Sequence, residues 1–271
     1  MKNKIIILGM LFCLLMICQS VKADEKQPIR IMDYNVLVGF NGSEAYKNKY
    51  KTWLKDKLPD IIAYQEMSKF TAESFAEFAQ SYGHPYTAFF DTGGCCPIAL
   101  SSKYPISAIQ KIKEGMHHGL MLANVLDYQV AVLHLNPFDW KKRYEEINKV
   151  IEVIKPLADR KVIMMGDFNS RSPVDKEVYK LPEKFDETYT VLEQVQKAGF
   201  IDSYWQVNKK FTRTHPTRLH STVGYDKNHY RIDYIWVSPV LESRLKSCEV
   251  VEDAVTNVLS DHYPILLTLE R

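Results

Sequence analysis

Apolar runs of strand length recur along the chain: Ile29 to Val36, Ile61 to Tyr64, Ile98 to Leu100, Leu120 to Leu126, Val130 to Leu135, Val162 to Met165, Ile232 to Val237 and Ile265 to Leu269. They are rich in Ile, Val and Leu and are bounded by Asp, Asn, Gly or Pro, which is how buried strands punctuate a sequence. Between some of them the period changes to that of a helix. In Trp140 to Leu157, Tyr144, Ile147, Val150, Ile151, Ile154 and Leu157 fall on one helical face, with Lys141, Lys142, Glu145, Glu146 and Lys149 on the other. Tyr46 to Leu54 and Phe70 to Phe78 read as two more helices. Too many strands follow one another without a helix for a single parallel sheet. The pattern predicts hairpins, hence mixed or antiparallel sheets, and fits two sheets packed together with helices outside.

No Gly/Ser/Pro-rich linker, repeat or low-complexity tract divides the 271 residues, and a 46% hydrophobic content is ample for a core. The start is compositionally separate. Lys2 and Lys4 precede the apolar stretch Ile5 to Cys18, and Val21-Lys22-Ala23 supplies the small-residue cleavage pattern of a secretory signal peptide. Residues 1–23 are therefore expected to be removed, leaving one domain over 24–271 that is exported to the periplasm or beyond. The apolar stretch is short for a membrane span. A lipid anchor at Cys18 is the competing reading, against which stands bulky Ile17 where such sites want a small residue. Removal of Lys2, Lys4 and Lys22 from the 35 basic residues leaves 32 against 33 acidic ones. That near balance weakens any reading in which neutralising a nucleic-acid backbone supplies most of the affinity. Of the cysteines only Cys95, Cys96 and Cys248 remain, an odd number for which buried or free thiols are the plain expectation.

Candidate chemistry sits at the ends of the apolar runs, where a scaffold presents functional groups rigidly. Tyr34-Asn35 closes the first run and Gln65-Glu66 follows the second. His134 lies within Val130 to Leu135, Gly166-Asp167-Phe168-Asn169-Ser170 follows Val162 to Met165, Asp233 lies within Ile232 to Val237, and Ser260-Asp261-His262-Tyr263-Pro264 precedes the last run. Each alone is commonplace, since an Asp after a strand usually caps a turn. Asp233 is sharper: a carboxylate in a buried strand must be paired, because an uncompensated buried charge costs several kcal/mol. Together, three carboxylates, two asparagines and two histidines form the inventory of a hard-metal site, suited to Mg²⁺ or Mn²⁺ rather than Zn²⁺. Such a cation typically works on phosphoryl groups.

As an ordered set, Asn35, Gln65-Glu66, His134-Leu135, Gly166-Asp167-Phe168-Asn169, Arg231-Ile232-Asp233-Tyr234 and Ser260-Asp261-His262-Tyr263-Pro264 resemble the endonuclease/exonuclease/phosphatase superfamily of metal-dependent phosphodiesterases. The resemblance runs from about Arg30 to Leu269. It implies a four-layer α/β sandwich, two packed mixed β-sheets flanked by helices, and in-line attack of water on phosphorus. It also implies roles: Glu66 as principal metal ligand with Asn35 and Asp261 beside it; Asp167 positioning or deprotonating the water; Asn169 orienting that Asp or the phosphate. By the same resemblance His262 contacts the scissile phosphate with Asp233 as its partner, and His134 is the second phosphate-facing histidine. Leu133 stands where many relatives carry Thr. Gly93-Gly94-Cys95-Cys96-Pro97 stands where they often carry an aromatic or acidic residue.

Other residues are discounted. His117-His118, His215, His220 and His229 match no zinc spacing and have no cysteine near them in sequence, so solvent-exposed or substrate-side positions are expected. Lys209-Lys210, Arg213 and Arg218 divide evenly between a phosphate-gripping edge and a solvated loop, and Asp139 is favoured as the cap of the helix that follows. The expectation is an exported, monomeric Mg²⁺- or Mn²⁺-dependent phosphoric ester hydrolase, its substrate open among nucleic acid, phospholipid head group and small phosphorylated compound. The competing class is an inactive phosphate-ligand binding protein of the same fold.

Overall fold

In the structure, a computed structural model, residues 27–176, 187–220 and 229–271 are described; the predicted signal segment and Cys18 lie outside them. Among these residues, twelve strands form two sheets. The first takes β1 (Ile29–Asn35), β2 (Ile61–Gln65), β3 (Tyr86–Phe90), β4 (Ile98–Ser102), β11 (Leu245–Val250) and β12 (Ile265–Leu269) in the order β11-β12-β1-β2-β4-β3. The second takes β5 (Ile106–Ile112), β6 (Leu120–Val125), β7 (Tyr128–His134), β8 (Val162–Asp167), β9 (Ile201–Asp202) and β10 (Asp233–Val237) in the order β5-β6-β7-β8-β10-β9. Each is mixed, with β1–β2 parallel in one and β7–β8 parallel in the other.

Three apolar layers follow from the alternation of side chains along these strands. Ile29, Ile31, Ile61 and Ala63 face Val130, Val132, Ile163 and Met165 between the sheets. The opposite face of the first sheet, with Met32, Tyr34, Ile62 and Tyr64, packs on α1 (Glu44–Lys57) and α2 (Ala72–Gln80) through Tyr50, Trp53, Phe75 and Phe78. The opposite face of the second, with Leu133, Val162, Met164 and Trp236, packs on α3 (Trp140–Ile154) and α4 (Glu187–Lys197) through Ile147, Val150, Val191 and Val195. Helix, sheet, sheet, helix is the four-layer sandwich that the sequence predicts.

The helices start where their caps dictate. Thr71 and Ser74 form a reciprocal capping box at α2. Asp139 accepts from the Lys141 amide at 2.9 Å, so it is the cap of α3. No helix among the described residues is long and apolar enough to cross a membrane.

Candidate active site

The inward alternation continues past the point where apolar residues run out. In β1, Ile29 and Ile31 are followed by Asp33 and Asn35; in β2, Ile61 and Ala63 by Gln65; in β7, Val130 and Val132 by His134; in β8, Ile163 and Met165 by Asp167. In antiparallel β10 the inward set Ile235 and Val237 begins with Asp233. The registers Asn35 with Gln65, His134 with Asp167, and Asp233 with Asp167 bring these groups to one end of the inter-sheet layer. Six polar side chains thus replace the core there, all of them buried. Each must find partners or a bound group.

Asp167 is the hub. Its Oδ1 accepts from the Asn169 amide at 2.8 Å, and its Oδ2 accepts from Asn35 Nδ2 at 3.1 Å. His134 Nε2 lies 3.5 Å and His262 Nε2 3.8 Å from the same Oδ2. Asn169 adopts φ +49, which aims its N–H back at Asp167, while its side chain donates to the Leu135 carbonyl at 3.1 Å. Its positioning of Asp167 therefore runs through the backbone.

Glu66 stands one residue beyond β2 with φ +58, and the facing turn holds Leu37 and Val38 in the same left-handed region. This turn delivers the Val38 amide to Glu66 Oε2 at 3.1 Å, while Asn35 Nδ2 donates to Oε1 at 3.1 Å. The Asn35 amide nitrogen thus sits between the two carboxylates, and its oxygen accepts from the Leu37 amide at 3.2 Å. Strained backbone concentrated at one rim is common where a site is built.

Asp261 and His262 occupy a loop, not a strand, between the short helix Thr256–Leu259 and β12. Ser260 ties that loop to the end of β1, donating to the Asn35 carbonyl at 2.7 Å and accepting from the His262 amide at 3.2 Å. His262 Nδ1 meets the Asp233 oxygens at 2.8 and 3.0 Å. Asp261 turns to His215, with Oδ2 3.8 Å from Nε2, and the His215 ring lies 4.8 Å from that of His262. The adjacent acid and imidazole consequently have different targets.

Electrostatics separate the two buried histidines. Burial, with the neighbouring His118 and His262, drives the His134 pKa well below the ordinary value, so its imidazole is neutral. Burial also opposes charge on His262, but the Asp233 and Asp167 charges outweigh it and hold that imidazole well above the ordinary range. Asp167 is pushed up to about 8 by burial first and the Asp233 charge next, with Glu66 adding to the rise. Asp33 is raised well above the usual carboxylate range by burial and by Asp233, although Gln65 Nε2 donates to it at 2.8 Å. The cluster is short of positive charge.

Asp33 escaped the sequence reading, although its signal was present: it falls on the inward parity of Ile29 and Ile31. His118 and His215 were discounted there, yet His118 is buried and stacks on His134 at 4.2 Å and 27°. Cys95 and Cys96, far from His118 in sequence, come within metal-ligating distance of it in space. Arg231, part of the same string as Asp233, braces the fold instead, with Nε 2.8 Å from Asp175 and Nη1 2.6 Å from Asp202. Arg213 pairs with Glu252 at 2.9 Å. Cys95, Cys96 and Cys248 are free thiols, the last buried against Ser203.

The family model for the endonuclease/exonuclease/phosphatase family matches residues 34–262, which takes in Asn35, Glu66, His134, Asp167, Asp233 and His262 and begins one residue after Asp33. The chain belongs to that family, whose members are hydrolases acting on phosphate esters. Solved structures share the fold at low identity. A 3′ phosphatase, NExo, from Neisseria, bound to product DNA hairpin, is 22% identical with a TM-score of 0.74. An AP endonuclease from Archaeoglobus fulgidus is 15% identical at 0.73, and a 3′–5′ exonuclease (NExo) from Neisseria meningitidis 23% identical at 0.72. Each alignment covers 90% of this chain and 100% of the other. No curated protein matches the sequence.

Proposed function

We propose that this family member is an exported, divalent-metal-dependent phosphoesterase that cleaves a phosphodiester by in-line attack of water. The observation that carries the reading is the convergence on Asp167 of one neutral and one charged imidazole, within a cluster where the buried carboxylates Asp33, Asp167 and Asp233 outnumber the one charged imidazole. A bare binding pocket for a phosphate has no use for a buried carboxylate facing the anion. Export rests on the N-terminal pattern alone.

The donor set fits a hard cation. Glu66, Asn35 and Asp261 offer oxygen donors of the kind Mg²⁺ or Mn²⁺ prefers, and burial of several carboxylates together raises the cost of ionising them in a way a cation relieves. These three residues would hold it; when bound, it neutralises charge growing on the phosphoryl oxygens. The remaining work belongs to the chain. Asp167 accepts one proton of the water whose oxygen forms the new bond to phosphorus, while the ester P–O bond opposite breaks and its departing oxygen takes a proton from solvent. Asn169 and Asn35 hold the Asp167 carboxylate in place. His262, fixed at Nδ1 by Asp233, turns Nε2–H to a phosphate oxygen, and His134 faces the same group from β7.

The relatives' action on DNA puts nucleic acid on the list of substrates to test, whereas a nearly balanced charge provides no broad basic field for it. Turnover of an aryl phosphodiester should require Mg²⁺ or Mn²⁺, stop with EDTA and return with excess metal; hydrolysis that survives EDTA refutes the metal dependence. A panel of DNA, RNA, sphingomyelin and inositol phosphates then assigns the substrate. Binding without turnover on every member would favour the inactive-binder reading.

A further inference from the structure

Between β3 and β4 the chain makes a tight loop, Asp91 to Pro97, at the rim of the site, and its two adjacent thiols have no part in the proposed hydrolysis. Cys95 is exposed and Cys96 half-buried. The loop is pinned at several points. The Gly93 amide donates to Asp91 Oδ1 at 2.9 Å, the Cys96 amide to Ser68 Oγ at 3.2 Å, and the Met67 amide to the Pro97 carbonyl at 2.9 Å. Cys96 itself adopts φ +70, a conformation a β-carbon makes costly and which the surrounding bonds must impose.

His118 approaches the thiols from the turn before β6. Its ring hydrogen-bonds to the Cys95 backbone, and ligand atoms of Cys95, Cys96 and His118 all lie within 4.8 Å of one another. The ring is 2% exposed, and its Nε2 is a buried nitrogen with no hydrogen-bond partner. Structural economy would have satisfied that nitrogen or replaced the histidine. A tetrahedral ion with Zn–S of about 2.3 Å and Zn–N of about 2.0 Å needs its ligands roughly 3.5–3.8 Å apart, so the three groups need to close by only about 1 Å.

We propose that Cys95, Cys96 and His118 form a second, thiophilic metal site that takes Zn²⁺, distinct in donor chemistry from the oxygen-rich cluster at Glu66. Two thiolates and one imidazole suit a soft or borderline cation and leave the fourth position open to solvent beside exposed Cys95. Binding displaces one proton from each thiol to the solvent. Because His118 stacks on His134, an ion seated there immobilises the ring that backs the phosphate-facing histidine.

Cobalt reports such a site directly. The reduced full-length chain, held in excess Mg²⁺ to occupy the oxygen donors, is titrated with Co²⁺ and read by its thiolate-to-cobalt charge-transfer and tetrahedral visible bands. One equivalent should produce both, Zn²⁺ should bleach them, and the double substitution Cys95→Ser, Cys96→Ser should abolish them while Glu66→Gln keeps them. Zn²⁺ should also slow alkylation of Cys95 and Cys96 in the unsubstituted chain, mapped by mass spectrometry. Absence of the bands, their persistence in the double variant, or alkylation indifferent to Zn²⁺ overturns the proposal. Failure of the phosphoesterase reading would appear as absent turnover and would leave these bands untouched.

Discussion

Gly166 offers the sharpest test of how the fold holds the site. It precedes Asp167 in β8, pairs with Leu133 in β7 and with Tyr234 in β10, and has φ +148, a region in which side chains are strained. An alanine Cβ there would sit 1.9 Å from the Leu133 carbonyl oxygen and 2.9 Å from its carbon, where real contacts essentially never fall below 3.0 Å. β7 and β8 must therefore part by roughly 1.1 Å, the difference between that 3.0 Å floor and 1.9 Å. The backbone strain is worth about 1–3 kcal/mol. Overpacking against backbone adds about 1–3 kcal/mol more. A loss of that size lowers the urea midpoint by about 1–2 M for a chain whose slope is near the upper end for single domains. The same displacement pulls Asp167 from His134, and misplacement by about 1 Å costs roughly 100-fold in kcat. Gly199→Ala is the control: φ is +89 but nothing lies within 4 Å of the added carbon, so it carries strain without collision and lies away from the site. Urea unfolding and phosphodiester kinetics on both variants decide the matter. If Gly166→Ala matches Gly199→Ala in midpoint and kcat, the close approach of β7 and β8 does not hold the site.

Asp233→Asn removes the charge that fixes His262 Nδ1 at 2.8 Å, so kcat should fall by about 10²–10⁴ while calorimetric Mg²⁺ affinity stays near wild type; an equal loss of metal binding would contradict the pairing. His84, buried between Ser101 Oγ and the Pro59 carbonyl, has its pKa lowered by burial to about 4. Its neutral form is favoured in the folded state, so its contribution is complete above the unfolded value of about 6.5 and is lost as pH falls toward 4, by about 3 kcal/mol. His84→Gln should accordingly flatten the urea midpoint between pH 7 and pH 4.5. Arg231→Met strands the Asp175 and Asp202 carboxylates in the interior and should cost about 3–5 kcal/mol by denaturant unfolding.

What the sequence displays depends on how many faces of an element are buried. All eight strands read from apolar runs are interior members of their sheets among the described residues. The four that escaped, β3, β5, β9 and β11, are the four edge strands. β5 and β11 expose most of their residues, so Ser107, Gln110, Lys111, Lys246 and Glu249 replace the apolar run that betrays an interior strand. The site was legible for a related reason. Asn35, His134, Asp167 and Asp233 interrupt buried strands, and a polar residue where the pattern demands an apolar one is conspicuous. Asp33 obeyed the same parity and could have been found. His118, His215 and the two thiols lie on loops or beside them, where no period constrains residue type, and only the folded chain brings them to the site. Asp261 and His262 showed their chemistry in sequence but not their geometry, because the loop that separates their targets has no repeating pattern.

The claim that matters most is that Glu66 and His262 belong to one hydrolytic centre. Steady-state cleavage of a phosphodiester at saturating Mg²⁺ by Glu66→Ala and His262→Ala, each checked for an unchanged urea midpoint, tests it directly. Each should lose about 10²-fold or more in kcat/KM; near-wild-type turnover by both folded variants would separate the two residues from a common centre.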